Sequence, residues 1–213
     1  WAQVVCQGSG ASLWWPNKDH LSDEPDSMRI AVTVPSALDE ISNGRLVRKT
    51  AVDESYTKYE WAVSYPINNY NVTLNIGKYT HWRDRFVNGD TLPINYYVMA
   101  YNKTRAEKLF GLTKEMLLTF ENTFGKYPFP RDGFTLIESL YPMEHQSSVS
   151  VGKIQENNSE EVKHLMWHEA AHEWWGNNVS CEDMADLWIH EAFATYAEAL
   201  MVRKTLGQEV ERN

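Results

Sequence analysis

Apolar positions along this chain follow two rhythms, and the change between them falls near residue 102. Before it, apolar side chains alternate with polar ones or gather in short runs rich in β-branched and aromatic residues, over 28–34, 59–65, 72–76 and 94–101. Such side chains suit the face of a pleated ribbon, so each run predicts a strand. The opening Trp1-Ala2-Gln3-Val4-Val5 reads as strand too. Turn chemistry separates the runs at Asn43-Gly44, Pro66 and Asn88-Gly89-Asp90. Residues 1–102 therefore read as an antiparallel β-rich unit.

Beyond residue 102 the period lengthens to that of a helix. Thr113 is placed to cap a helix in which Met116, Leu117, Phe120 and Phe124 recur at 3.6 spacing, with stops at Gly125 and Pro128. A short apolar strand is expected over 133–138. Asn158-Ser159-Glu160-Glu161 resembles a capping box leading into a helix over 162–175, with Gly176 as its stop. A further helix is expected over 184–204, with Gly207 beyond it. The fold class is α+β, divided into 1–102 and 103–213, and no long Pro/Gly/Ser linker separates the parts, so they are expected to pack directly.

Composition narrows the function classes. With 20 basic against 29 acidic side chains, the formal charge of −9 argues against nucleic acid or anionic membrane as the main partner. No apolar run of about 18 residues offers a membrane span, and no basic-then-apolar signal peptide opens the chain. The chain starts at Trp1 without a methionine and stops at Glu211-Arg212-Asn213, so it reads as cut at both ends. Compartment is left open between cytoplasmic and exported with a signal peptide removed. Cys6 and Cys181 define neither a disulfide framework nor a cysteine metal site. Four Asn-x-Ser/Thr sequons stand at Asn71, Asn102, Asn157 and Asn178.

The chemistry concentrates in His168-Glu169-Ala170-Ala171-His172, followed by Glu191. Residues four apart share one helix face, so both imidazoles can reach one Zn²⁺. Glu169 points to a neighbouring sector, where it can act as base on a water activated by the ion. Glu191, on the next helix, can return a carboxylate to the same ion, leaving a fourth position open as catalytic sites do. Leu165, Met166, Trp167, Ala170, Ala171, Trp174 and Trp175 would bury this helix, and buried ionisable groups need partners. His164 lies a further turn back, about 5–6 Å away, poorly placed to share a tetrahedral ion with both histidines. His190 points away from Glu191 on its helix, towards the surface or a position behind the ligands.

These residues resemble the gluzincin metallopeptidases of the aminopeptidase N and leukotriene hydrolase family, whose pattern is HExxH, eighteen residues, then Glu. Here residues 173–190 are the eighteen, and Asp186-Leu187-Trp188-Ile189-His190-Glu191-Ala192-Phe193-Ala194-Thr195-Tyr196 is similar to the family's D-L-W-L-N-E-G-F-A-T-Y. Upstream, Tyr141-Pro142-Met143-Glu144-His145 resembles the G-x-M-E-N stretch that forms an edge strand along the substrate cleft. The resemblance implies that Glu144 binds a peptide's free α-amino group, that Met143 belongs to the same substrate-binding strand, and that Gln7, in Cys6-Gln7-Gly8, is a second amine contact. It further implies an incomplete N-terminal β domain followed by the first half of a thermolysin-like mixed α/β catalytic domain. Tyr141, His145, His190 and Ala192 depart from the family's usual residues.

The expectation is a zinc aminopeptidase holding one Zn²⁺ and acting on peptides with a free N-terminus. The alternatives are a thermolysin-like endopeptidase, or a non-catalytic module with a structural or vestigial zinc site. In the resembling family a tyrosine well downstream of the glutamate ligand stabilises the oxyanion. No tyrosine here takes that place, so the piece is expected to bind metal but to catalyse weakly by itself.

Overall fold

The computed structural model describes residues 1–207; residues 208–213, including the terminal Glu211-Arg212-Asn213, lie outside the described residues. Eleven strands form three sheets among the described residues. In the first, β1 (Ala2–Gln3) pairs with β6 (Leu74–Gly77), which also pairs with β3 (Asp39–Ser42). In the second, β2 (Met28–Pro35) and β4 (Arg45–Ala51) flank β5 (Tyr56–Val63), all antiparallel. Asn43-Gly44 is thus a corner between sheets rather than a hairpin turn. Gly44 has φ +78°, and a Cβ there would stand 2.1 Å from the Ala62 carbonyl oxygen, so only glycine fits.

The third sheet carries the site. Its order is β10 (Pro142–Met143), β11 (Val149–Val151), β9 (Phe134–Ile137), β8 (Asp90–Met99) and β7 (Tyr79–Asn88). β7 and β8 form a hairpin around Gly89, β9 runs parallel to β8 and to β11, and β10 is an antiparallel edge. Leu92, Ile94, Tyr96 and Val98 alternate inward along β8 to meet the helices. The change to helix does come at residue 102, but sheet pairing runs across it, because the 79–99 hairpin joins strands from 134–151.

Among the described residues four α-helices pack on this sheet: α1 (Lys103–Phe110), α2 (Thr113–Phe124), α3 (Ser159–Ala171) and α4 (Trp188–Leu206). Leu117 and Phe120 of α2, Met166, Trp167 and Ala170 of α3, and Ala194, Ala197 and Met201 of α4 share one core with the sheet. Two expected caps differ in detail. Thr113 is the first residue of α2, and its hydroxyl donates back to the Phe110 carbonyl at 2.7 Å. Asn158 is the N-cap of α3 but forms no capping box; its Oδ1 accepts from the Gln155 amide and its Nδ2 donates to the Lys153 carbonyl. A local turn outbids the helix for that side chain.

A second core, with Ile41, Trp61, Ile67 and Val72, lies between the smaller sheets. Beside it Glu40 is buried, its Oε2 accepting from the Trp61 indole at 2.7 Å while Oε1 has no partner among the described residues. Burial pushes its pKa up from 4.5 to about 8. The folded state then keeps a proton that the unfolded chain releases above pH 4.5, so stability falls by about 1.4 kcal/mol per pH unit up to pH 8 and levels off beyond. Glu40→Gln keeps the acceptor for Trp61 and removes this slope. Chemical denaturation should therefore find the variant more stable than wild type at pH 8 but not at pH 5; equal gains at both would refute the assignment.

Asn71 and Asn102 are buried, so the native fold closes those two sequons, whereas Asn157 and Asn178 are exposed. Both cysteines are free, and both pack against the small cluster of Leu21, Tyr70 and Met143. No helix among the described residues is long and apolar enough to cross a membrane.

Candidate active site

α3 presents His168 and, at its C-terminal cap, His172 on one face, with ring centroids 5.0 Å apart. The chain then bends. Trp175 stacks on Phe193 of α4 at 4.2 Å, bringing the first turn of α4, and with it Glu191, over the two histidines. Glu191 Oε2 lies 3.1 Å from His168 Nε2 and 3.9 Å from His172 Nε2, and one donor atom from each residue falls within 4.8 Å of the others.

The outer nitrogens are already engaged. His168 Nδ1 meets Glu198 Oε1 at 2.8 Å and His172 Nδ1 meets the Trp175 carbonyl at 2.9 Å. With an ion bound, both contacts would keep the proton on Nδ1 and leave Nε2 as the ligand atom. In a tetrahedral zinc site with bonds of about 2.0–2.1 Å, neighbouring ligand atoms stand roughly 3.3 Å apart, so this donor set fits the ion. Without an ion, burial opposes charge on His168, but hydrogen bonds to Glu191 and Glu198 outweigh it and push its pKa up to about 10. Glu191 is held below its ordinary value, first by the His168 hydrogen bond.

Glu198 was not singled out from sequence, although it follows Glu191 by two helical turns and so shares its face. Besides His168 it meets His164 Nδ1 at 3.2 Å. His164 is thereby turned to the outer side of the cluster rather than to the ligand position. Glu198→Gln should weaken metal binding about 10–100-fold, the usual penalty for losing a carboxylate behind a ligating histidine. Competition with a chromogenic chelator reads this directly; unchanged affinity would refute the role.

Glu169 is buried on α3, and burial, then the neighbouring Glu144 carboxylate, raise its pKa well above 4.5. Glu144 follows edge strand β10, and its carboxylate, the Glu169 carboxylate and a His172 ring nitrogen also lie within 4.8 Å of one another. The Tyr70 hydroxyl donates to Glu144 Oε1 at 3.2 Å. Burial, then the Glu144 charge, raise the Tyr70 pKa and keep that donor protonated.

The remaining expected residues are less central. Met143 is buried against Leu21 and Tyr70. Gln7 is exposed, between Cys6, which packs on the same cluster, and Gly8, which faces Met184. His190 is not at the surface: it is buried behind the ligands, and its Nε2 accepts from the Cys181 amide at 2.9 Å. His145 is fully buried beside Ser150, neutral because burial lowers its pKa to about 3.

An HExxH helix set against a mixed five-stranded sheet, with a returning glutamate on the next helix, is similar to the gluzincin arrangement. Residues 110–212 match the Peptidase family M1 domain. Human glutamyl aminopeptidase is 25% identical over 195 residues, covering 84% of this chain and 20% of that protein. Aminopeptidase 2, mitochondrial, of Saccharomyces cerevisiae is 32% identical over 117 residues, 49% of this chain and 12% of that protein. The crystal structure of an M1 zinc metallopeptidase from Deinococcus radiodurans superimposes with a TM-score of 0.83 at 22% identity, covering 97% of this chain and 47% of that one, a likeness of fold. Over residues 110–212 the chain is thus similar to members of peptidase family M1. It spans about a fifth of the length of the curated glutamyl aminopeptidases it matches.

Proposed function

We propose that this chain carries the metal centre and amine anchor of a zinc aminopeptidase, with one Zn²⁺ held by His168, His172 and Glu191. The observation behind the reading is the convergence of Glu144, Glu169 and His172 within 4.8 Å. In a peptide, the α-amino nitrogen is separated from its own carbonyl carbon by one Cα, whereas each further residue adds about 3.3–3.6 Å. A carboxylate this close to the base and the ligand leaves room for a single residue between anchor and scissile bond. The names of the relatives support both zinc and aminopeptidase chemistry.

His168, His172 and Glu191 would hold the zinc, which would supply Lewis-acid polarisation of the scissile carbonyl and a water acidified towards neutral pH. Glu169 takes the proton of the attacking water and returns it to the leaving amine, and its raised pKa makes it a stronger base than an ordinary carboxylate. Glu144 pairs with the substrate ammonium, whose positive charge offsets the repulsion between two neighbouring buried carboxylates. The main chain at Met143 and Glu144, on a sheet edge, can align the peptide as an added strand.

Zinc analysis after dialysis should find one ion per chain, and a chelator should abolish hydrolysis of aminoacyl p-nitroanilides. Cleavage of N-acetylated peptides as fast as free ones would favour an endopeptidase. Absence of an ion, with folding unaffected by chelator, would favour a non-catalytic module.

A further inference from the structure

Glu144 sits in a loop without regular structure of its own, yet it must stand at a fixed distance from the metal ligands. Residues 144–148 are buried, and Ser147 has φ +57°, a left-handed conformation that a serine holds only when its surroundings impose it. Three buried side chains from elsewhere grip this loop's main chain. Asn43 Nδ2 donates to the Gln146 carbonyl at 2.8 Å, Glu173 Oε1 accepts from the Ser147 amide at 2.8 Å, and Asn177 Nδ2 donates to the Glu144 carbonyl at 2.8 Å. Of these three, Asn177 is the one that holds Glu144 itself.

Asn177 is tied at its other end to the metal centre. Its backbone amide donates to the carbonyl of His172 at 2.9 Å. Its Oδ1 accepts from Asn71 Nδ2 at 2.7 Å, which orients the amide so that Nδ2 faces Glu144. Asn71 belongs to the same 3₁₀ turn, Asn69–Asn71, that delivers the Tyr70 hydroxyl to the Glu144 carboxylate. One turn of the β-rich half thus grips Glu144 at both ends: the carboxylate through Tyr70, and the peptide carbonyl through Asn71 and Asn177.

We propose that Asn177, oriented by Asn71, is a positioning residue that sets the distance between the amine anchor Glu144 and the metal ligand His172, and thereby the selectivity for a free α-amino group. This rests on the aminopeptidase reading above. A side chain that only filled space there would need no donor on Glu144, and the backbone bond to His172, made whatever the side chain, fixes that donor relative to the metal ligand. Asparagine supplies a donor and an acceptor on one rigid group, so it can answer Asn71 and Glu144 together.

The test measures inhibition by two metal-binding probes that differ only in the α-amino group, alanine hydroxamate and propionohydroxamate, on wild type, Asn177→Asp and Asn71→Ala. Asn177→Asp keeps the acceptor for Asn71 and loses the donor to Glu144 together with its longer contact to Glu173 Oε1 at 3.4 Å. Wild type should bind the amino probe more tightly. In Asn177→Asp this preference should shrink about 3–10-fold, the effect of one hydrogen bond, with zinc content and affinity for the des-amino probe unchanged. For aminoacyl substrates the loss should appear in KM more than in kcat. If wild type shows no preference, the aminopeptidase reading fails. If wild type discriminates and the folded, zinc-loaded variant does so equally, the role of Asn177 is overturned. Should Asn177→Asp fail to fold, Asn71→Ala decides: reduced discrimination with zinc retained supports the proposal, and full discrimination overturns it.

Discussion

Replacing Glu169 by glutamine is expected to lower turnover of aminoacyl substrates about 10²–10⁴-fold while zinc stays bound at the wild-type level. Glu169 is not one of the three residues whose donor atoms converge as His168, His172 and Glu191, so the ion's donor set survives the change. Glutamine matches glutamate in size and fits the same buried place on α3, where burial already disfavours a charged carboxylate. Folding should therefore be little affected. What disappears is the group that accepts the water's proton and hands it to the leaving amine, so the loss belongs in kcat with KM nearly constant. Side-by-side zinc analysis and steady-state kinetics separate these effects. A variant retaining more than a tenth of the wild-type kcat would exclude Glu169 as the base.

Much of this centre is legible in sequence because it is local. His168, Glu169 and His172 share a helix whose apolar surroundings announce burial, and the eighteen-residue spacing to Glu191 carries the family resemblance. Glu198 could have been reached by the same periodicity, since it stands two turns beyond Glu191. Tyr70 and Asn177 could not: they meet Glu144 from 74 and 33 residues away, and no local pattern encodes such a contact. The strands divide the same way. β8 alternates apolar and polar and is readable, whereas β4 exposes every residue and β7 is crowded with charge at His81, Arg83, Asp84 and Arg85. Both become strands by pairing with a neighbour that has its own apolar face, a tertiary cause that overrides local preference. Helix α3 ends four residues earlier than the Gly176 stop suggests, because the segment after His172 is recruited to face α4 and the Glu144 loop.

Replacing Glu144 by glutamine should lower kcat/KM for substrates with a free N-terminus about 10–100-fold and spare N-terminally blocked peptides. A hydrogen bond to a charged group contributes about 1.5–3 kcal/mol, and tenfold in rate corresponds to about 1.4 kcal/mol, which sets that range. The substitution leaves a donor and an acceptor for Tyr70 and leaves the Glu144 main chain with its partner Asn177, so the loop should keep its place. Only the charge opposite the ammonium is lost. A blocked peptide has no ammonium to anchor, and it also stops facing a buried negative charge, so its cleavage should stay level or rise. The ratio of free to blocked cleavage is therefore the sensitive quantity, and it is independent of how much active enzyme a preparation contains. Equal losses on both substrate classes would assign Glu144 to the catalytic step or to structure, whereas a collapse of the ratio with zinc content unchanged would leave it as the group by which this site recognises the amino terminus.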